Sequence, residues 1–164
     1  MLKLGFLINP YAGIGGSLAL KGSDGSETRA AAIAAGVEKK ALHRADTFLR
    51  LLLPRKDDVK LYAYGGEMGE YSLRPLGFDA EVIGRPKRWE STAEDTVRAV
   101  SLMKEAGADC IIFFGGDGTA RDVCYVLGDS LPVVGVPAGV KMHSAVYAKT
   151  PTDAGNLEIG RAHV

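Results

Sequence analysis

The stretch Gly115-Gly-Asp-Gly-Thr119 places a carboxylate between glycines, directly after the apolar run Cys110–Phe114. Glycine allows positive φ and a close approach of the backbone to a ligand, and successive backbone N–H groups in such a turn attract an anion. A following helix adds its positive N-terminal end. The pattern predicts a phosphate-binding loop in which Asp117 orients a hydroxyl group and takes its proton during phosphoryl transfer. The alternative is a plain turn in which Asp117 caps a helix.

A second glycine-rich stretch, Asn9–Gly16, follows the first apolar run of the chain. Asn9 is expected to hydrogen-bond across to a neighbouring strand end. The glycines expected to wrap a phosphate are Gly13, Gly15 and Gly16. The stretch is not a Walker loop, because no Gly-Lys-Ser/Thr follows, and Leu18 stands where the third glycine of the dinucleotide fingerprint belongs. A flexible connector is an equally good interpretation.

Other polar residues lie near these stretches or follow other apolar runs. Lys21 is expected to pair with a phosphate, and Asp24 to fix that lysine or to cap the next helix, and a solvated turn is an equally good interpretation. Thr92 and Asp95 open a predicted helix, and they either contact a ligand or serve only to start that helix. The residues expected to form a second polar wall of the cleft are Lys141, His143 and Ser144. The basic loop residues that either contact phosphates or are simply solvated are Arg85, Lys87 and Arg88. No cluster has metal-ligand spacing, so no protein-bound metal is expected.

The elements that must position these residues are short and alternate in type. Five apolar runs rich in β-forming residues predict strands. They are Leu2–Ile8, Val59–Tyr64, Ala80–Ile83, Cys110–Phe114 and Pro132–Val136. Helical spacing of apolar residues predicts helices over Ala30–Ala35, Leu42–Leu52, residues 91–106 and Ala120–Leu127. Ser91 and Glu94 have the spacing of a capping box. The segment Gly65–Phe78 has room for one short helix.

Strands that alternate with helices predict a doubly wound α/β fold, with a mostly parallel sheet of about five strands and helices on both faces. We expect one domain over residues 1–157. In such sheets ligands bind beyond the carboxyl ends of the strands, where the direction of strand order reverses. Both glycine-rich stretches follow a predicted strand, so both are expected at the ligand-binding edge of the sheet.

Composition excludes several classes of protein. The chain of 164 residues has 46% hydrophobic and 24% charged residues, the balance of a soluble globular protein. Its formal net charge of zero argues against a nucleic-acid partner. The apolar runs are too short to cross a bilayer, and no signal peptide pattern is present. Cys110 and Cys124 lie in a predicted strand and a predicted helix, which favours free thiols and a cytoplasmic location.

The motifs resemble those of a known group of kinases. GGDGT at 115–119 resembles the signature of the NAD kinase and diacylglycerol kinase superfamily. Within it, the chain resembles the ATP-NAD kinase branch common in archaea and some bacteria, and the match runs in order over most of the chain. The stretches that carry this resemblance are INPYAGIGG at 8–16, LKGSDG at 20–25, GGEMGE at 65–70, STAEDT at 91–96, GGDGTARDV at 115–123 and VPAGVKMHSAVYA at 136–148.

The resemblance implies transfer of a phosphoryl group from ATP, or from polyphosphate, to the 2′-hydroxyl of NAD to give NADP. It implies Asp117 as the acid/base residue. The nucleotide contacts it implies are Asn9 with the glycines that follow it, Gly115, Gly116, Gly118 and Thr119. The cleft positions it suggests are Lys21, Asp24, Thr92, Asp95, Lys141, His143 and Ser144. Magnesium bound through the phosphates is expected by class, and a homo-oligomer is expected for the full-length protein.

The resemblance also implies a second, mostly β domain that completes the acceptor site. We therefore expect the chain to be an N-terminal fragment with little activity alone. Residues 158–164 are expected to be a non-native tail, because Ile159–Val164 match the translated start of a common sequencing adaptor. Two alternative functions remain. One is a lipid kinase of the same superfamily, and the other is a non-catalytic nucleotide-binding accessory protein of the acetoin-catabolism type.

Overall fold

A five-stranded parallel sheet forms the centre of the molecule. The computed structural model describes residues 1–12, 40–88 and 91–138. The strands in this part of the chain are β1 (Leu2–Ile8), β2 (Val59–Ala63), β3 (Ala80–Val82), β4 (Cys110–Gly115) and β5 (Val133–Pro137). All five predicted strands are confirmed, with ends that shift by one residue at most. The runs of β1 and β4 are nearly continuously apolar because these two central strands are buried on both faces.

The strand order places the predicted ligand edge near the middle of the sheet. The order is β3-β2-β1-β4-β5, and every pair is parallel. The chain builds outward from β1 to β3, then crosses back to add β4 on the other side of β1. The order therefore reverses between β1 and β4, which pair with Phe6 opposite Ile112. The carboxyl ends of these two strands carry Asn9 and Gly115–Thr119.

Helices and short 3₁₀ segments connect the strands. The helices are α1 (Lys40–Leu52), α2 (Glu70–Leu73), α3 (Ala93–Ala106) and α4 (Asp117–Leu127). The 3₁₀ segments are Leu53–Asp58, Gly66–Met68 and Arg74–Leu76. The short helix expected in Gly65–Phe78 is present as α2. The predicted helix Ala30–Ala35 lies outside the described residues.

The two faces of the sheet are covered by different helices. On one face, α1 contributes Phe48, whose ring centroid lies 5.6 Å from that of Phe114 and 6.5 Å from that of Phe6. On the other face, α3 and α4 pack their buried residues against Leu7 and Phe113. The predicted doubly wound α/β fold is therefore confirmed, with a separate apolar layer on each side of the sheet.

Two predicted helix starts were wrong. Helix α3 is capped by Thr92 and Asp95, one residue later than the predicted pair Ser91 and Glu94. Two overlapping Ser/Thr-x-x-Asp/Glu patterns compete here, and the structure uses the second while it buries Ser91. Helix α4 begins at Asp117, three residues before the predicted Ala120. Residues of the glycine-rich stretch thus form its first turn.

Candidate functional site

Asn9 connects the end of β1 to the start of α4. Its backbone N–H donates to the Phe114 carbonyl oxygen at 2.9 Å, which confirms the predicted hydrogen bond to a neighbouring strand end. Its side-chain Nδ2 donates to Thr119 Oγ1 at 3.0 Å. Its Oδ1 accepts the backbone N–H of Tyr11 at 3.2 Å. One amide side chain therefore holds the turn after β1 and the first turn of α4 in a fixed relation.

The Gly115–Thr119 stretch is a strand end that runs directly into a helix. Gly115 is the last residue of β4, Gly116 is the N-cap of α4, and Asp117 is the first residue of that helix. Asp117 is half-buried and takes part in an interaction within the protein. The alternative in which Asp117 itself caps the helix is wrong, because Gly116 holds that position.

Within this stretch, Gly115 is required by space, not by positive φ. Among the described residues, the glycines with positive φ all lie outside 115–119. A Cβ atom at Gly115 would lie 2.5 Å from Thr119 Oγ1 and 2.7 Å from Thr119 Cβ. Thr119 is itself buried and bonded to Asn9, so it has little room to move. Gly115 therefore lets the helix turn back closely over the strand end.

A cavity of about 360 Å³ opens beside this connection. Asn9 and Tyr11 line it from the end of β1. Gly118, Thr119, Arg121 and Asp122 line it from α4. The cavity thus lies at the carboxyl edge of the sheet, at the switch point between β1 and β4, where ligands of open α/β sheets bind.

The start of α3 forms the other wall of the cavity. The residues that line it from this side are Ser91, Thr92, Ala93 and Thr96. The Thr92 backbone N–H, which a helix leaves without a partner, donates to Asp95 Oδ2 at 2.8 Å. Asp95 thus has a capping role, as the helix-start interpretation predicts. The Thr92 side chain is exposed at the rim.

The structure brings only some of the predicted site residues together. Those that line the cavity are Asn9, Thr92, Gly118 and Thr119. Four more do not line the cavity but belong to the first turn of α3, the end of β4 or the start of α4. They are Asp95, Gly115, Gly116 and Asp117. Those outside the described residues are Gly13, Gly15, Gly16, Lys21, Asp24, Lys141, His143 and Ser144. The described cavity is thus next to Asp117 rather than around it.

Several lining residues were not predicted as site residues. They are Tyr11, Ser91, Ala93, Thr96, Arg121 and Asp122. Helical spacing could have found the last two, because Arg121 and Asp122 follow Gly118 by three and four positions and share its side of a helix. The signal was missed because the helix was expected to start at Ala120, after the glycine-rich stretch.

The described residues contain neither a group of side chains suited to bind a metal ion nor a membrane-spanning helix. Within residues 1–12, 40–88 and 91–138, no three His, Cys, Asp or Glu side chains are grouped so that they could hold a metal ion. In the same part of the chain, no helix is both long and apolar enough to cross a bilayer.

A buried ion pair joins the loops that follow β2 and β3 at the same edge of the sheet. Glu70 of α2 is 1% exposed. Its carboxylate accepts hydrogen bonds from both terminal nitrogens of Arg85, and the Nη2–Oε2 distance is 2.7 Å. The same carboxylate also accepts hydrogen bonds from Arg74 Nη2 and from the Gly66 N–H. Arg85 was expected to contact phosphates or to be solvated, and the structure shows an ion pair with Glu70 that was not predicted, while the Arg85 side chain stays more than half exposed.

The contacts of Glu70 change its acidity. The hydrogen bond from Arg85 is the largest of the effects that lower the pKa of Glu70 from its ordinary value of 4.5 to about 2. Burial acts in the opposite direction and is outweighed. Because the folded pKa is lower than the unfolded one, Glu70 stabilises the fold above about pH 4.5. That contribution is lost as the pH falls from 4.5 towards 2.

We expect Glu70→Gln to lower the free energy of unfolding at pH 7 by about 1–3 kcal/mol, since it leaves two arginines without their carboxylate. The arginine side chains are more than half exposed, which keeps the loss moderate. Urea unfolding of both proteins at pH 7, 4 and 3 measures the loss, and the difference should shrink as the pH falls. The control Asp46→Asn breaks an exposed pair with Arg50 and should cost less than about 0.5 kcal/mol. A difference that grows at low pH would contradict the assignment.

The fold and the cavity together define a class of protein: a doubly wound α/β domain with a cavity at its switch point and a glycine-rich strand-to-helix turn beside it. The family model described as ATP-NAD kinase N-terminal domain matches residues 4–157, and the chain belongs to this family. No curated protein and no solved structure matches the chain. Family membership makes it an NAD kinase-like protein of the phosphotransferase type.

Proposed function

We propose that this domain takes part in transfer of a phosphoryl group from ATP, or from polyphosphate, to the 2′-hydroxyl of NAD, which gives NADP. The observation that carries the proposal is the Asn9–Thr119 hydrogen bond, which places the GGDGT turn and the turn after β1 at one cavity. Membership of the ATP-NAD kinase N-terminal domain family supports the choice of ATP and NAD.

The proposed reaction assigns Asp117 the role of the base. The ribose 2′-oxygen attacks the terminal phosphorus of the donor, and the bond from that phosphorus to the bridging oxygen breaks. ADP, or polyphosphate shorter by one unit, leaves with that electron pair. The proton of the 2′-hydroxyl moves to the Asp117 carboxylate. Most of the rate enhancement in such reactions comes from positioning and charge stabilisation. Asp117 in the first turn of α4 is placed beside the wall formed by Gly118 and Thr119.

The remaining residues of the proposed site bind and orient. The N-terminal ends of α3 and α4 both line the cavity and favour negatively charged groups. Asp122 also lines it and would supply an oxygen ligand of the kind that Mg²⁺ prefers to a metal ion that arrives on the phosphates. When bound, Mg²⁺ neutralises charge on the phosphoryl oxygens.

An assay of NADP formation tests the proposal. The full-length protein is incubated with NAD and either ATP or polyphosphate, and NADP is measured with an NADP-specific dehydrogenase. We expect NADP with at least one donor. Phosphorylation of a lipid acceptor without NADP formation would overturn the proposal in favour of a lipid kinase.

We further propose that residues 1–164 alone have little or no such activity, because the resemblance implies an acceptor site completed by a second, β-rich domain. The purified chain in the same assay tests this, and NADP formation at the rate of the full-length protein would contradict it. Resequencing of the gene tests whether 158–164 belong to the native reading frame.

A further inference from the structure

Arg121 is a cavity residue to which neither the motifs nor the family match assigns a role. It belongs to the second turn of α4, is exposed, and lines the cavity together with Gly118 and Thr119. Among the described residues of the lining, it carries the one positive charge. Arginine is suited to phosphate because its planar group can donate two parallel hydrogen bonds to two oxygens.

The rest of the lining supplies hydrogen-bond donors that suit a phosphate. Hydroxyl groups come from Ser91, Thr92 and Thr96 on one wall and from Thr119 on the other. These groups can donate to phosphate oxygens. Asp122 opposes them with one negative charge, and it already takes part in an interaction within the protein.

We propose that Arg121 is the residue that recognises the phosphate chain of the nucleotide in this cavity. The inference rests on the proposed function for the presence of a nucleotide, but it assigns the charge recognition to a residue outside the GGDGT stretch. The shared ligand chemistry is a nucleotide phosphate chain, whose source is either the phosphoryl donor ATP or the diphosphate of NAD.

Calorimetric titration of the full-length protein tests this in buffer with EDTA, so that no metal ion bridges protein and ligand. The ligands are ATP, AMP, adenosine and NAD. We expect the affinity of the wild type to rise from adenosine through AMP to ATP. Arg121→Gln should weaken ATP binding by at least about tenfold and leave adenosine unchanged, because it removes a charged hydrogen bond to phosphate. Arg121→Lys should lie between the two. A loss for NAD as large as that for ATP assigns Arg121 to a shared diphosphate, and a loss for ATP alone assigns it to the donor.

Two variants serve as controls. Asp122→Asn removes the opposing charge and should tighten ATP binding in EDTA. Arg50→Gln changes an exposed arginine on α1, across the sheet, and should change nothing. If Arg121→Gln binds both ATP and NAD as tightly as the wild type does, the inference about Arg121 is overturned but the proposed function is not. The inference is also overturned if Arg121→Gln loses as much affinity for adenosine as for ATP, because such a loss indicates damage to the fold. A wild type that binds neither ATP nor NAD would overturn the proposed function together with the inference.

Discussion

Asp117→Asn in the full-length protein is expected to lower the rate of NADP formation by about 10²–10⁴-fold, the usual contribution of a general base. The amide has nearly the same size as the carboxylate but cannot take up the ribose proton. Nucleotide affinity should change little, because Asp117 does not line the described cavity. Steady-state kinetics with NAD and ATP, together with titration of ATP into both proteins, measure the two effects separately.

The matched control for this variant is Asp129→Asn, which changes an exposed carboxylate in the loop after α4. Its rate should equal that of the wild type. An Asp117→Asn enzyme with the wild-type rate would remove Asp117 from the mechanism. If neither the wild type nor the variant phosphorylates NAD while both bind nucleotide, the protein is a non-catalytic accessory protein instead.

Phe114→Ala is expected to have the largest effect on stability, a loss of about 3–5 kcal/mol in the free energy of unfolding. Phe114 is fully buried, and its ring centroid lies 5.4 Å from that of Phe6 and 5.6 Å from that of Phe48. Alanine would leave a cavity between α1 and the centre of the sheet. Urea unfolding followed by circular dichroism measures the loss.

Two further variants separate this cavity effect from a general effect of aromatic residues. Phe114→Leu keeps most of the volume and should lose less than half as much. Tyr125→Ala removes a ring that is 84% exposed on α4, and should change stability by less than about 0.5 kcal/mol. Equal losses for Phe114→Ala and Tyr125→Ala would show that the aromatic cluster contributes no more than the surface does.

The strands were predictable from the sequence because their apolar runs are bounded by turn residues, and that pattern does not depend on distant contacts. The start of α4 was not predictable in the same way. Gly118 has low helix propensity, yet it lies in the first turn of α4, next to Thr119, which is bonded to Asn9. A tertiary contact overrode the local preference. As a consequence, the sequence did not predict that Arg121 and Asp122 line the cavity.

The pairing of Glu70 with Arg85 was likewise beyond reach. The two residues are 15 positions apart, in connecting segments whose relation depends on the pairing of β2 with β3. From the sequence, Arg85 looked like one member of a solvated basic loop. The partner was hidden because a single glutamate in a four-residue helix has no periodicity that marks it as buried.

The hydrogen bond between Asn9 and Thr119 also has a consequence for the order in which the protein is made. The two residues are separated by 110 positions, and a chain leaves the ribosome from its N-terminus. The turn after β1 therefore exists without the helix that completes its cavity while the 110 positions between the two residues are made. The cavity itself cannot form until β4 and the first turns of α4 have emerged and β4 has paired with β1. Nucleotide binding in this cavity would therefore report that the central strands have reached their final order, and it would stabilise only chains that have done so.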